Sequence, residues 1–117
     1  MNTGSKLSRV EINLSDKTLT AVISGDVDHH NLQDIRGKID YAIETSSARN
    51  IILDLSAVPF CDSSVIGLIL GRKRLADRLG AAVIIRAPNP YVMKIIKLSG
   101  LSDMVEQAAK QAEQLAS

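Results

Sequence analysis

Polar and apolar residues alternate along the first part of the chain. Val10, Ile12 and Leu14 are interleaved with polar residues, as are Leu19, Ala21 and Ile23, and Ser15-Asp16-Lys17 separates the two runs. A period of two belongs to a strand with one covered face, so the segment predicts a β-hairpin that turns at this triplet. After Gly25 the period lengthens: Leu32, Ile35, Ile39, Ala42 and Ile43 fall on one helical face, with Asp28 or Asn31 placed to cap the helix.

NIILDLS at 50–56 is apolar without alternation and rich in β-branched residues, which predicts a central strand covered on both faces. Residues 63–79 read as a helix stopped by Gly80, and AAVIIRA at 81–87 as another buried strand. PNPYVMKIIKLSG at 88–100 reads as a helix capped by Asn89, opened by Pro90 and stopped by Gly100. The tail predicts a short strand near Met104 and an alanine-rich helix over 106–117. Alternating strands and helices with short connections imply right-handed βαβ crossovers. The expected class is therefore α/β: a mixed, mostly parallel sheet with an antiparallel strand from the N-terminal hairpin, and about four helices. A chain of 117 residues suits a single domain over 1–117, with 1–6 as a flexible N-terminus.

Charge and composition remove several function classes. The 14 basic and 13 acidic residues are scattered and nearly cancel, so nucleic acid has no electrostatic footprint, and 3% aromatic content offers no stacking platform. Cys61 is a lone cysteine without an internal disulfide partner, and the first residues lack the apolar centre of a signal peptide. No apolar run approaches the roughly 18 residues of a membrane span. The expectation is a cytoplasmic protein that binds neither membrane nor nucleic acid.

Parallel strands ending near Ser24, Ser56 and Ala87 leave the loops GDVDHHN, VPFCDSS and APNP on one rim. Each loop opens a helix whose first N–H groups are unpaired and carry partial positive charge, and open α/β sheets bind at this edge. Ser63 and Ser64 lie there. Either Asp62 or Ser63 can cap the following helix, a role worth about 1 kcal/mol. Capping explains one polar residue, but not a polar triplet followed by a helix that is apolar on two sides. Val65, Leu68, Ile69, Leu75, Ala76 and Leu79 share the face toward the sheet, whereas Ile66 and Leu70 turn elsewhere. Those two are covered by a neighbouring helix or form a docking patch beside a modifiable serine. Gly67 and Gly71, four apart, read as a place of close backbone packing. Asp26 and Asp28 are candidate partner contacts by rim position, with turn and capping roles as the simpler alternative.

A hydrolase would use Ser63 with His29 or His30 as base. However, CDSSV is not the G-x-S-x-G elbow, and no glycine-rich loop supplies an oxyanion hole. His29, His30 and Cys61 have no metal-ligand spacing, and both glycine motifs for nucleotide phosphates are missing. The expectation is a protein without catalysis, metal or cofactor.

The segments GDVDHHN, IILDLSAVPFCDSSVIGLILGRKRL and GAAVIIRAPNPYVMKIIKLSGL resemble, in order and spacing, the STAS-domain anti-sigma factor antagonists, most closely the sporulation-type SpoIIAA-like group. The resemblance spans roughly residues 8–105 and implies a single STAS domain. It further implies that the dephosphorylated protein binds an anti-sigma factor, itself a serine kinase, and so frees a sigma factor. The kinase then phosphorylates the first serine after the aspartate, Ser63 here with Ser64 as fallback, and a PP2C-type phosphatase resets the cycle. Asp26, Asp28, Asp62, Ser64, Val65, Ile66 and Leu70 are the expected partner-binding residues. The family usually has glycine after the second serine, so Val65 departs from its pattern and bears on partner fit. A STAS scaffold or regulator in a kinase pathway outside sigma-factor control is the alternative. Phosphate beside Asp62 is expected to release a partner by repulsion and desolvation, with little backbone change.

Overall fold

The first hairpin forms as the alternation demands. In the computed structural model, which describes residues 9–86 and 88–106, β1 (Arg9–Ser15) pairs antiparallel with β2 (Thr18–Ser24) in unbroken register. Asp16 in the turn has a φ of 57°, a left-handed conformation that aspartate tolerates better than most residues. α1 (Leu32–Thr45) then leads to β3 (Asn50–Ala57), and α2 (Ser64–Leu79) leads to β4 (Ala82–Arg86). β2, β3 and β4 run parallel, the strand order is β1-β2-β3-β4, and α3 (Pro90–Leu98) with a 3-10 turn at Ser102–Met104 follows.

Right-handed crossovers that step the same way along a sheet place their helices on one face. Burial agrees with that geometry. Leu19, Ala21 and Ile23 of β2, Ile51, Leu53 and Leu55 of β3, and Ile85 of β4 share that face and are at most 1% exposed. They form one core with Ile35, Ile39 and Ile43 of α1, Val65, Leu68 and Ile69 of α2, and Val92, Met93 and Ile96 of α3. β3 is central, and Ile52 on its opposite face is also buried. Among the described residues no helix is long and apolar enough to cross a membrane.

Several sequence expectations need correction. β4 is an edge strand with only Ile85 fully buried, not a strand enclosed throughout. Among the described residues its outer side carries one bridge, from Ile85 to Val105, in place of the expected strand near Met104. Three α-helices are described; the expected helix over 106–117 and the N-terminus 1–6 lie outside the described residues apart from Glu106. A Cβ added to Gly67 or Gly71 would meet nothing within 4 Å, so these glycines face open space and permit no close packing. Leu79 is 53% exposed. The 16-residue α2 spans about 24 Å and the five-residue β4 only about 17 Å, so the last helical turn overhangs the sheet. The covered face of α2 also holds Arg72, which reaches Asp40 on α1 with an Nε–Oδ1 distance of 2.7 Å.

Candidate functional site

The three rim loops are tied to one another. Past the end of β2, Val27 donates its N–H to the carbonyl of Phe60 at 3.1 Å, and its own carbonyl accepts the Asp62 N–H at 3.1 Å. This bridge joins the first loop to the second. Asn89 joins the second to the third: its Nδ2 donates to the carbonyls of Val58 at 3.0 Å and Pro59 at 3.3 Å, while its Oδ1 accepts the Val92 N–H and caps α3. Phe60 and Tyr91 stack across the same junction, with ring centroids 5.3 Å apart and an interplanar angle of 14°. Both rings are about half exposed.

The two serines are in different situations. Asp62 Oδ1 accepts the Ser64 backbone N–H at 2.8 Å and also the Ser64 hydroxyl. Asp62 is thus the side chain that caps α2. Ser63 occupies the N-cap position but makes no side-chain cap bond, and it is exposed. The Ser64 hydroxyl and N–H hold the Asp62 carboxyl below the usual aspartate value, with burial opposing and His29 adding slightly. His29 Nδ1 lies 3.9 Å from Asp62 Oδ2. Cys61, next in the loop, is fully buried, and burial together with Asp62 pushes its thiol up to about 11, so it stays protonated and packs as an apolar residue.

Asp28 organises the first loop. Its Oδ1 accepts the N–H groups of His30 at 2.9 Å and Asn31 at 3.3 Å. Asn31 accepts the Asp28 N–H at 3.1 Å and donates to the Asp26 carbonyl at 2.8 Å, so it braces the loop and leaves the α1 N–H groups without a side-chain cap. His29 and His30 are exposed, with ring centroids 4.0 Å apart. Among the described residues no histidine nitrogen bonds to Ser63 or Ser64, and no three His, Cys, Asp or Glu side chains gather to hold a metal. Asp62, which accepts the Ser64 hydroxyl, is a poor base because its carboxylate is stabilised.

Asp26 and Asp28 on the first loop and Asp62 and Ser64 beside Ser63 on the second are half-exposed, and Ile66 and Leu70 are half-buried on α2, with Ile66 packed against the core. Val65 is different. It is wholly buried on the sheet-facing side of α2, so the expected contact of its side chain with a partner is corrected to a packing role. The sequence reading missed Phe60 and Tyr91. A usable signal was their scarcity: the chain has three aromatic residues, and Tyr41, Phe60 and Tyr91 are all exposed although such rings ordinarily anchor cores.

Comparison with known proteins adds identity to this geometry. The STAS domain family matches residues 9–115. The anti-sigma F factor antagonist of Lysinibacillus sphaericus is 34% identical over 95 residues, which cover 81% of this chain and 81% of that protein. The anti-sigma factor antagonist SpoIIAA in its unphosphorylated form is similar in structure, with a TM-score of 0.76, 31% identity and coverage of 84% of this chain and 86% of that one. The Bacillus cell fate determinant SpoIIAA in the phosphorylated form has a TM-score of 0.69 and 28% identity, covering 93% of this chain and 100% of that one.

Proposed function

The chain belongs to the STAS domain family, and from that premise we propose that it is an anti-sigma factor antagonist working as a phosphorylation-controlled partner switch. Unmodified, it binds an anti-sigma factor that is also a serine kinase, and so frees the sigma factor. Phosphorylation at Ser63 ends that complex, and a PP2C-type phosphatase restores the binding form. Residues 1–117 act as one cytoplasmic domain that serves as substrate and ligand, without catalysis of its own.

The observation that carries this reading is the division of labour between the serines. Ser63 presents a free, exposed hydroxyl at the N-terminus of a 16-residue helix, while Ser64 is engaged with Asp62. A kinase needs the first kind of serine. The similar SpoIIAA in both unphosphorylated and phosphorylated forms supports the same reading.

Phosphorylation adds about −1.5 to −2 charge next to the ionised Asp62. The helix N-terminus favours that charge, so the fold tolerates it. A docked partner instead has to strip water from a phosphate set among carboxylates, which is strongly unfavourable. Release is local, and the sheet does not rearrange. Phe60 and Tyr91 join Asp26, Asp28, Asp62, Ser64, Ile66 and Leu70 on the docking face, as exposed aromatics of the kind that dominate interfaces.

The test is a capture experiment with Ser63→Ala and Ser63→Glu baits in host lysate, read by mass spectrometry. A kinase-fold anti-sigma factor held by the alanine form and lost from the glutamate form supports the proposal. Equal recovery of the same proteins by both baits counts against it.

A further inference from the structure

Among the described residues, no strand pairs with the outer side of β1, the edge of the sheet far from β4. We propose that β1 pairs antiparallel with β1 of a second copy of this chain, about a two-fold axis through Ile12, to form a continuous eight-stranded sheet.

The backbone phase supports this pairing. A two-residue loop makes Ser15 and Thr18 a hydrogen-bonded pair, and such pairs alternate along an antiparallel ladder. Leu14, Ile12 and Val10 are therefore the residues whose N–H and C=O groups point away from β2. These are the groups a second strand would need. Pairing about Ile12 sets Ile12 opposite its own copy and Val10 opposite Leu14, so about six outward bonds are made by the very groups left free.

Side chains are self-complementary in the same register. Val10, Ile12 and Leu14 share the helix-side face and meet one another, while on the other face Arg9 meets Ser15 and Glu11 meets Asn13. No like charges stand directly opposite. Glu11 lies diagonal to its copy at about 7–8 Å, where water and salt screen the repulsion.

Arg9 and Glu11 are the charged residues of β1, and in this register neither faces a like charge directly. Edge strands are usually blunted by proline, lysine or a bulge, and these seven residues contain neither residue type and keep an unbroken register. The other edge is bridged at Ile85 by Val105. The apolar alternation of β1 is also left uncovered, with Ile12 37% and Leu14 56% exposed. Beside it a groove of about 580 Å³, lined by Val10, Ile12, Leu14, Gly37, Tyr41 and Ala42, runs between β1 and α1. In the dimer the two grooves face each other across the axis, so Ile12, Leu14 and the exposed Tyr41 gain apolar neighbours. Because the axis is perpendicular to the sheet, the Ser63 rims point in opposite directions, and each dimer offers two separate switch sites.

Sedimentation velocity on the full chain should show a concentration-dependent dimer, and Ile12→Lys should abolish it with an unchanged circular dichroism spectrum. A register-specific test uses Ile12→Cys and Asn13→Cys under mild oxidation, since Cys61 is buried. Residues facing each other as a hydrogen-bonded pair have Cα atoms about 5.5 Å apart, within disulfide reach, whereas position 13 and its copy stand about 7–8 Å apart. I12C should cross-link roughly tenfold faster than N13C. A monomer up to about 0.5 mM, equal cross-linking rates, or a dimer that survives Ile12→Lys would each overturn the proposal.

Discussion

The backbone N–H and the hydroxyl of Ser64 both reach the same oxygen of Asp62. One carboxylate therefore caps α2 and occupies the second serine, which leaves the first serine unengaged. Two adjacent residues of one chemical type acquire different reactivity from a single neighbour.

If the proposed kinase partner modifies the protein, Ser63→Ala should eliminate that phosphorylation, and Ser64→Ala should retain it. Intact-mass spectrometry after incubation with the captured kinase distinguishes them. Ser64→Ala should cost roughly 1 kcal/mol or less, since one hydrogen bond to the cap is lost while the backbone N–H bond remains. Phosphate found on Ser64 of the Ser63→Ala variant at the wild-type rate would sink this assignment.

Asp62 also gives a pH signature. Its carboxyl titrates below the usual aspartate value because Ser64 donates two hydrogen bonds to the charged form. A depressed folded value means that the ionised carboxylate stabilises the fold above the unfolded pKa, near 3.9, and that this contribution fades as pH falls through the lower folded value. Asp62→Asn keeps a good cap but removes the charge. Urea unfolding should show a constant difference between wild type and variant above about pH 5, shrinking below about pH 4. A difference independent of pH down to about pH 3 contradicts the argument.

Local signals in the chain were readable, and non-local ones were not. Pro90, Asn89, Gly80 and Gly100 mark helix ends through backbone chemistry that needs no tertiary context, and each marks one in the structure. The alternation of β1 and β2 gave the hairpin for the same reason. What covers a residue depends on elements far away in sequence. Ile12 and Leu14 alternate as half-buried residues do, yet α1 leaves them open. Phe60 and Tyr91 are 31 positions apart and meet only because Asn89 pins the third loop to the second. The choice between Asp62 and Ser63 as the cap turned on a side-chain orientation that spacing does not encode.

The Phe60–Tyr91 stack should matter for binding more than for folding. Each ring is about half exposed, so truncating either should cost about 1 kcal/mol or less in stability. Central aromatics of an interface commonly contribute about 2 kcal/mol to binding, roughly a 30-fold change in Kd. Tyr91→Ala and Phe60→Ala should each weaken capture of the anti-sigma factor by that order. The double variant should lose less than the sum, because the rings form one platform. Calorimetric titration measures all three, and Kd values within twofold of wild type would remove the pair from the docking face.

Arg72 and Asp40 permit a prediction in which the two halves of one ion pair behave differently. The Arg72 side chain is 7% exposed, whereas that of Asp40 is 33% exposed at the α1–α2 junction. Burial lowers the Arg72 pKa, with Asp40 opposing that shift and Arg36 adding to it. Geometry recovers only part of the desolvation. Nη2 donates to Asp40 Oδ2 at 3.3 Å, the 2.7 Å Nε–Oδ1 contact is too bent for a hydrogen bond, and Nη1 has no partner among the described residues. Asp40→Ala would leave a buried cation without its counter-charge. That usually costs about 3–5 kcal/mol, and the partial exposure of the site argues for about 2–3. Arg72→Met places an apolar side chain on the covered face of α2 and lets Asp40 hydrate through its exposed third, so the loss should be about 0–1 kcal/mol. Denaturant unfolding at neutral pH should therefore rank Asp40→Ala as the more damaging change. The reverse order would mean that the pair stabilises the helix junction outright, with the attraction exceeding the cost of burying the arginine.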